Sequence, residues 1–325
     1  MKRSPLPDGV TGPFSVAAAR DAGVPASRLR ASDLRTPFRG VRTLHTDTSD
    51  DARASVRRRV REYAEVMPAS QFFCLATACV LWGGPIPPGL LRHRDGAGGL
   101  VERPLDVGVF LPDRASRTQG VRGRSIAPGW AEVVTAPVDG IRLTSPASTW
   151  AMMGQVLSED ELVILGDALV RMPERDADPP PLATIDDLRR AVEVGRRPGV
   201  LRIREALPLV RTRAWSPQET RTRLVLVRDG GLPEPELNWP VLVGGHLVAN
   251  IDLAYPDFLL GFEYDGEHHM TDAEQWAKDI RRAEMLADLG WSIMRVTKRD
   301  LDTLRGPFIA RVRSRVLGAV RRRSM

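Results

Sequence analysis

Three acidic residues and two histidines toward the end of the chain are the residues best suited to bind a metal or move a proton. Asp252 lies in one predicted strand, Glu263 and Asp265 lie at the next, and His268 and His269 follow a glycine turn. Side chains two residues apart on a strand point to the same face, so Glu263 and Asp265 are expected to share one. The pattern indicates one chemical site.

Carboxylates on neighbouring strands suit a hard divalent cation. Asp252 and Glu263 could share Mg²⁺, which prefers oxygen ligands, and the metal would neutralise a scissile phosphate and activate a water for in-line attack. His269 could move the proton, because the pKa of histidine is close to neutral. The alternative is that Glu263 and Asp265 form ion pairs with arginines. The candidates are Arg281, Arg282 and Arg295.

A hairpin and a turn are expected to position these acids. The segment V-L-V-G-G-H-L-V-A-N-I-D-L-A-Y predicts a hairpin that turns at Gly244–Gly245 and carries Asp252 in its second strand. A turn at Asp257 then leads into F-L-L-G-F-E-Y-D, the strand that contains Glu263. The two acids are therefore expected on successive strands.

A charged helix and a further strand follow. Residues 272–289 predict a helix that ends at Gly290. Its predicted buried stripe consists of Trp276, Ile280, Ala283 and Ala287, with Leu286 beside it. The next strand, W-S-I-M-R-V-T, is expected to run parallel to its predecessor, because a crossover helix connects them.

The composition favours a polyanionic partner. The 325-residue chain carries a net charge of +6, and most of its positive residues are arginines, which suit phosphate recognition. Its two cysteines, Cys74 and Cys79, lie in one apolar run, so neither a zinc site nor a disulfide framework is expected. No secretory signal and no apolar run of membrane-spanning length is recognisable. These features predict a soluble, cytoplasmic protein with no membrane partner.

Residues 1–48 predict a small module that binds DNA. Two short helices and a hairpin with a turn at Arg39–Gly40 follow one another, which is the element order of a winged helix. Arg28, Arg39 and Arg42 would contribute to its basic face and contact DNA. The alternative is a small packing module with solvated arginines.

Two further regions separate this module from the acidic residues. Residues 49–172 predict a mixed α/β region, in which 70–83 form a buried helix. Residues 173–215 predict a proline-rich linker followed by basic helices. The middle region offers no catalytic constellation. Its scattered aspartates are interpreted as surface or turn residues and are Asp106, Asp113 and Asp139.

The last predicted domain, 216–325, begins with a capping box in which Ser216 is the N-cap and Glu219 the third helical residue. Capping alone could explain Glu219. Six motifs follow one another in this domain, and they are S-P-Q-E-T-R-T-R, L-P-E-P-E-L-N, I-D-L-A-Y-P, F-E-Y-D-G-E-H-H, K-D-I-R-R and L-G-W-S-I-M-R-V-T. They resemble the bacterial domain family related to very-short-patch-repair endonucleases, within the PD-(D/E)xK nuclease superfamily. The module 1–48 is also similar to the winged helix of abortive-infection-type antitoxins.

The resemblance covers residues 216–304 and implies a fold and a cofactor. The fold would be α+β overall, with a restriction-endonuclease-like mixed sheet flanked by helices in the C-terminal domain. The site would use Mg²⁺ or Mn²⁺. Asp252 matches the central aspartate, Glu263 matches the (D/E) position, and Glu219 falls where the superfamily often places a metal-binding acid on its first helix.

One position departs from the superfamily pattern. Asp265 stands where a lysine usually stabilises the charge that develops on the phosphate, and an aspartate cannot do this. His269 fits the Gly-x-x-His position of the subfamily and would supply proton transfer, with His268 as a substitute. Arg282 or Lys278 would replace the lysine from the helix.

The leading hypothesis is therefore a DNA-binding protein with a Mg²⁺-dependent endonuclease domain. Its predicted catalytic set is Asp252, Glu263, Asp265, His269 and Glu219. The main alternative is a non-catalytic DNA-binding regulator of the antitoxin type that uses the nuclease fold as a scaffold. An enzyme that processes RNA or branched DNA is a third possibility.

Overall fold

The chain folds into two compact units, each built from two segments of sequence. Unit 1 comprises Met1–Ser158 and Leu182–Glu205, and unit 2 comprises Glu159–Pro181 and Ala206–Met325. The computed structural model describes residues 6, 12–44, 50–136, 139–175, 177–265 and 273–323, without the side chains of 273–277 and 321–323. The predicted linker region 173–215 contributes to both units.

The strands are β1 (Phe14–Ser15), β2 (Leu34–Arg35), β3 (Val41–Leu44), β4 (Gln71–Phe73), β5 (Arg92–Arg94), β6 (Leu100–Glu102), β7 (Leu105–Phe110), β8 (Val121–Ile126), β9 (Val133–Thr135), β10 (Arg142–Thr144), β11 (Glu236–Val243), β12 (His246–Tyr255), β13 (Leu260–Tyr264) and β14 (Ser292–Val296). The α-helices are α1 (Val16–Asp21), α2 (Ala52–Ala64), α3 (Leu75–Leu81), α4 (Pro146–Met153), α5 (Glu159–Val170), α6 (Ile185–Glu193), α7 (Val200–Ala206), α8 (Pro217–Arg228), α9 (Ala273–Asp288), α10 (Lys298–Leu301) and α11 (Arg305–Arg323). Helices and mixed sheets together make the described part of the chain an α+β structure.

A five-stranded sheet forms the centre of unit 1, in the order β8-β7-β4-β10-β9. β4 pairs antiparallel with β7 and parallel with β10, and Phe73, Val107 and Leu143 are fully buried in the core. The predicted helix over 70–83 is wrong in its first part, because those residues begin with β4 and only then form α3. An unbroken apolar run has no periodicity that separates a buried strand from a buried helix.

Asp106 is buried on β7, so the prediction of a surface position for it is wrong. Arg124 donates to its Oδ1 from Nε at 3.1 Å and from Nη2 at 3.0 Å. Burial raises the pKa of Asp106, and Arg124 opposes that shift. Asp113 and Asp139 are exposed, as predicted.

The N-terminal part of unit 1 contains a three-stranded sheet in the order β1-β3-β2. The predicted hairpin is confirmed, since β2 and β3 pair antiparallel and Gly40 has a φ of 85° in their connection. The predicted second helix reduces to a single 3-10 turn, Arg28–Arg30. Phe38 and Val41 pack in the same core as Val56 of α2.

Four strands form the sheet of unit 2, in the order β11-β12-β13-β14. The hairpin β11–β12 turns at the predicted place, where Gly244 and Gly245 have φ values of 58° and 84°. Both positive φ values favour glycine in a two-residue hairpin turn. β12 and β13 pair antiparallel, whereas β13 and β14 run parallel through α9, which confirms the predicted crossover.

Helix α9 buries a different face from the predicted one. Ile280, Ala283 and Ala287 are exposed, whereas Leu286 is buried and Arg282 is half-buried. The side chain of Trp276 lies outside the part that the structure describes. The helix therefore turns an arginine toward the sheet, a choice that apolar spacing alone does not reveal.

A buried arginine joins two helices of unit 2. Arg223 on α8 is 0% exposed and donates to Asp167 on α5 at 3.1 Å, to Glu234 at 2.7 Å and to the carbonyl of Leu209 at 2.8 Å. Asp167 also accepts from the hydroxyl of Thr220. Because each group has a partner of opposite charge, this cluster can stay buried.

No helix in the described residues combines the length and the apolar character needed to cross a membrane.

Candidate functional site

Four polar residues form one row across the sheet of unit 2. Asn238 on β11 lies opposite Asp252 on β12, because the residues on either side of them are paired in register. The pairing of β12 with β13 brings Glu263 beside Asp252, and Glu263 is paired directly with Arg295 on β14. Two of the predicted acids therefore lie on neighbouring strands at the same level of the sheet.

Asp252 is the most perturbed member of this row. Burial, the charge of Glu219 and the charge of Glu263 together raise the pKa of Asp252 to about 7, against the opposing effects of a backbone hydrogen bond and Arg282. The hydrogen bond comes from the N–H of Tyr264, at 3.0 Å from Oδ2. No side chain in the described part of unit 2 forms an ion pair with Asp252. A carboxylate in such surroundings attracts a proton or another cation.

Glu219 reaches the same neighbourhood from helix α8. Its Oε2 accepts hydrogen bonds from the backbone N–H of Trp215 and from Nδ2 of Asn238, each at 2.9 Å. Ser216 caps the helix as predicted, but the carboxylate of Glu219 bonds to Trp215 rather than completing a capping box. Glu219 is buried at 7% exposure, so two neutral donors hold a charged side chain close enough to raise the pKa of Asp252.

Asn238 has a strained backbone that serves this arrangement. Its φ is 48°, a left-handed conformation that asparagine tolerates better than most residues. Its Nδ2 also donates to the carbonyl of Arg213 at 2.7 Å, while Arg213 donates back to the carbonyl of Asn238 at 3.0 Å. Asn238 was not predicted as a site residue, although the motif L-P-E-P-E-L-N contains it and asparagine favours such a conformation.

Glu263 is held by an arginine of α9. Arg282 donates to Glu263 from Nη2 at 2.6 Å and from Nη1 at 3.3 Å, and it also donates to the carbonyl of Asn250. The side chain of Glu263 is 14% exposed and that of Arg282 is 34% exposed. The alternative that Glu263 forms an ion pair is thus confirmed, and Arg282 stands beside the acids.

Asp265 lies at the exposed end of the site. It pairs with Arg295 at 3.0 Å, and both side chains are more than a third exposed. The second predicted ion-pair alternative is therefore also confirmed. Lys278 is exposed on α9, while His268 and His269 lie outside the described residues.

The acids do not close around a metal position by themselves. Within the described ranges, no group of three or more His, Cys, Asp or Glu side chains is placed to hold a metal ion. The arrangement instead consists of Asp252 between two other acids, one of which is neutralised by Arg282.

An open cleft of about 720 Å³ adjoins the acids. Its lining includes Trp215 and Asn238, which bond to Glu219, and Asn250, whose carbonyl accepts from Arg282. Arg175 and Arg213 also line it and are exposed. None of these five residues was predicted from the sequence to belong to a site. The cleft combines an aromatic side chain with cations, the groups that bind single-stranded nucleic acid.

The three arginines predicted to contact DNA differ in their exposure. Arg28 is 8% exposed and pairs with Asp33 at 2.9 Å. Arg42 donates to the carbonyls of Leu29 and of Val41. Arg39 is exposed in the hairpin connection. Of the three, Arg39 is the one presented to solvent.

Two proteins of Mycobacterium tuberculosis are similar to this chain, namely "Uncharacterized protein MT2308" of strain CDC 1551 / Oshkosh and "Uncharacterized protein Rv2248" of strain ATCC 25618 / H37Rv. Each is 32% identical over 244 residues, which cover 74% of this chain and 79% of the other protein. No protein-family model matches the chain. No solved structure matches it either.

Proposed function

The chain belongs to the same family as the mycobacterial proteins MT2308 and Rv2248, and we propose that it is a metal-dependent DNA endonuclease that hydrolyses phosphodiester bonds. One observation carries the proposal: Asp252 is half-buried between Glu219 and Glu263, and their charges help raise its pKa to about 7. Three carboxylates gathered without enough cations destabilise the fold, and such clusters are typical of functional sites.

The chemistry of the three carboxylates, although not their present spacing, suits a hard divalent cation. Asp252, Glu263 and Glu219 would hold Mg²⁺ or Mn²⁺, since carboxylate oxygens are the ligands that these ions prefer. Glu263 now faces Arg282, so the two would separate in part when the ion binds. When bound, such an ion supplies stabilisation of phosphate charge and a more acidic water.

The chain's own groups would orient the substrate and the water. Arg282 places a guanidinium beside the acids, where it would bind an oxygen of the scissile phosphate in the role of the superfamily lysine. Asn238 and the N–H of Trp215 hold Glu219 in place. The proton would be carried by His269, a residue outside the described ranges.

The strand order and the cleft support the same proposal. A mixed sheet β11-β12-β13-β14 with helices packed on it is the arrangement expected of a restriction-endonuclease-like domain. Arg175 and Arg213 would contact phosphates along the adjoining cleft, and Trp215 would stack on a base. Arg39 in unit 1 would add a contact to duplex DNA.

The proposal is tested by plasmid cleavage. The full-length protein is incubated with supercoiled plasmid and Mg²⁺ or Mn²⁺, and nicked and linear products are quantified. Asp252→Ala is expected to abolish cleavage. The matched control is Asp288→Ala, which removes an exposed aspartate at the end of α9 and should cleave like the wild type. Absence of cleavage by the wild type, or equal cleavage by Asp252→Ala, would refute the endonuclease.

A second candidate function is a non-catalytic DNA-binding regulator. It is favoured by the ion pair between Arg282 and Glu263, and by the fact that no set of side chains in the described ranges is ready to hold a metal. Sequence-specific footprints that the full-length Asp252→Ala variant retains and Arg39→Glu weakens, with no cleavage by the wild type, would support it. Cleavage that requires Asp252 would exclude it.

A further inference from the structure

Unit 1 contains a cavity that the proposed nuclease function does not use. Its volume is about 350 Å³, at the lower end of the range for small-molecule sites, roughly 300–1,000 Å³. Leu75, Ile126 and Met152 are buried in its lining, whereas Ser125 and Gln155 are exposed. The cavity thus has an apolar floor and a polar rim, the usual arrangement of a ligand pocket.

Arg197 in the lining of this cavity lacks the partners that a buried arginine needs. It is 9% exposed, and its Nε and Nη2 are buried without a hydrogen-bond acceptor among the residues that the structure describes. Its Nη1 has only a long contact of 3.4 Å to the carbonyl of Trp130. No carboxylate in the described residues pairs with it. Leaving charged donors buried and unpaired is costly, so a partner is expected there.

The unpaired atoms define the shape of that partner. Nε and Nη2 form the side edge of the guanidinium, which donates two parallel hydrogen bonds to the two oxygens of a carboxylate or phosphate. Nη1, which faces Trp130, lies outside this edge. Neither atom is accessible to solvent in the free protein, so Arg197 would turn this edge toward the cavity on binding in order to pair with the two oxygens.

The charges around the cavity set the charge of the ligand. Arg124 also lines the cavity, but Asp106 already neutralises it through the ion pair at 3.0 Å. One positive charge, that of Arg197, therefore remains. A ligand with one negative charge would complete the balance, whereas a second negative charge would be buried without compensation.

We propose that this cavity binds a small organic monoanion, with a carboxylate on Arg197 and an apolar body against Leu75, Ile126 and Met152. Trp130 contributes a half-buried aromatic wall. This site is independent of the carboxylates of unit 2, so its presence or absence does not decide the endonuclease proposal.

The test uses benzoate, phenyl phosphate and inorganic phosphate as probes of the full-length protein. Binding is followed by tryptophan fluorescence and by the shift of the unfolding temperature. Benzoate is expected to bind with a stoichiometry of one and to raise the unfolding temperature. Inorganic phosphate, which has no apolar body, should bind more weakly. Tighter binding of either phosphate than of benzoate would overturn the assignment of a carboxylate.

Substitutions separate a binding role of Arg197 from a structural one. Arg197→Gln should weaken benzoate binding by about 30-fold or more, the loss expected when one member of a buried charge pair is truncated. Arg197→Lys keeps the charge but loses the fork and should bind at an intermediate affinity. Arg196→Gln changes the charge equally at an exposed neighbour and should bind like the wild type.

A second readout is the stability of the free protein. Because Arg197 is a buried cation without a partner, Arg197→Gln should raise the unfolding temperature in the absence of benzoate. A lower unfolding temperature would mean that Arg197 already has a structural partner, and it would overturn the proposal. The proposal would also be overturned if benzoate raised the unfolding temperature of Arg197→Gln as much as that of the wild type, or raised neither.

Discussion

Unit 2 contains two aspartates whose pKa is raised, the buried Asp167 and the half-buried Asp252, and their neighbours differ in charge. Asp167 accepts from the N–H of Arg211 at 2.7 Å, from Thr220 at 2.8 Å and from Arg223 at 3.1 Å. Burial still raises its pKa to about 6, but these partners lower it. Asp252 accepts one backbone hydrogen bond, and two neighbouring carboxylates raise its pKa further.

The difference separates a charge that its neighbours compensate from one that they do not. Loss of hydration is the largest cause of the raised pKa at both aspartates, so it does not by itself identify a site. At Asp167 the arginine beside it compensates the charge, and the cluster holds α5 against α8. At Asp252 the charges of Glu219 and Glu263 outweigh that of Arg282, which weakens the fold unless a ligand balances them.

The largest change in stability is expected when the compensated cluster of Asp167 and Arg223 is broken. Arg223→Met would leave Asp167 buried without its cation and should lower the free energy of unfolding by about 3–5 kcal/mol. Chemical denaturation of the full-length protein measures this. Arg221→Met, on the same helix but at a partly exposed ion pair with Asp302, should lower it by less than about 1 kcal/mol. Equal losses would mean that burial of the pair does not matter.

In the uncompensated cluster, a substitution is expected to raise the free energy of unfolding rather than lower it. The pKa of Asp252 rises from 3.8 to about 7 on folding, so its ionisation opposes folding. The penalty is absent below about pH 4, grows as the pH rises, and is complete above about pH 7. Asp252→Asn should therefore stabilise the metal-free protein by about 2–4 kcal/mol at pH 8 and by less at pH 5.

Urea denaturation at both pH values tests this dependence. Asp265→Asn is the matched control, because the side chain of Asp265 is 39% exposed, and its effect should be small at either pH. A destabilised Asp252→Asn at pH 8 would place Asp252 with Asp167, as a structural charge.

Arg282 is the cation that partly balances the acids, through its ion pair with Glu263. Arg282→Gln leaves Glu263 without its partner, and it should lower the free energy of unfolding by about 1 kcal/mol without metal, because the pair is partly exposed. Mg²⁺ should then stabilise this variant more than the wild type, since the ion no longer displaces an arginine. The measurement is the unfolding temperature with and without Mg²⁺. A smaller Mg²⁺ effect in the variant would indicate that Arg282 does not compete with the metal.

The smallest change in stability is expected for Asp265, at the outer end of the site. Asp265→Asn breaks an exposed ion pair with Arg295 and should change the free energy of unfolding by no more than about 0.5 kcal/mol. Denaturation curves of the two proteins should nearly coincide at neutral pH. A loss similar to that of Arg282→Gln would show that Asp265 belongs to the inner cluster.

The parts of the fold that depend on neighbouring residues could be predicted from the sequence. The turn at Gly244–Gly245 requires positive φ values, and Ser216 caps α8 from the adjacent turn. The positions of Asp252 and Glu263 on successive strands followed from that hairpin and the turn after it. In each case the residues that predict the feature lie within a few positions of the feature itself.

Contacts between distant residues could not be predicted in this way. The buried face of α9 is set by the ion pair of Arg282 with Glu263, 19 residues earlier in the sequence, and apolar spacing pointed to another face. Asn238 holds Glu219 across 19 residues, and Asp106 is buried against Arg124 on the next strand. A charged residue gives no local sign that a distant partner will bury it.

The order of segments in the two units bears on how the chain folds during synthesis. Helix α5 belongs to unit 2 but leaves the ribosome before the segment that completes unit 1. Its Asp167 must wait for Arg223, 56 residues later. At typical elongation rates of about 5–20 residues per second this takes roughly 3–11 s. During that interval the apolar residues of α5 and the charge of Asp167 lack the contacts that α8 later supplies.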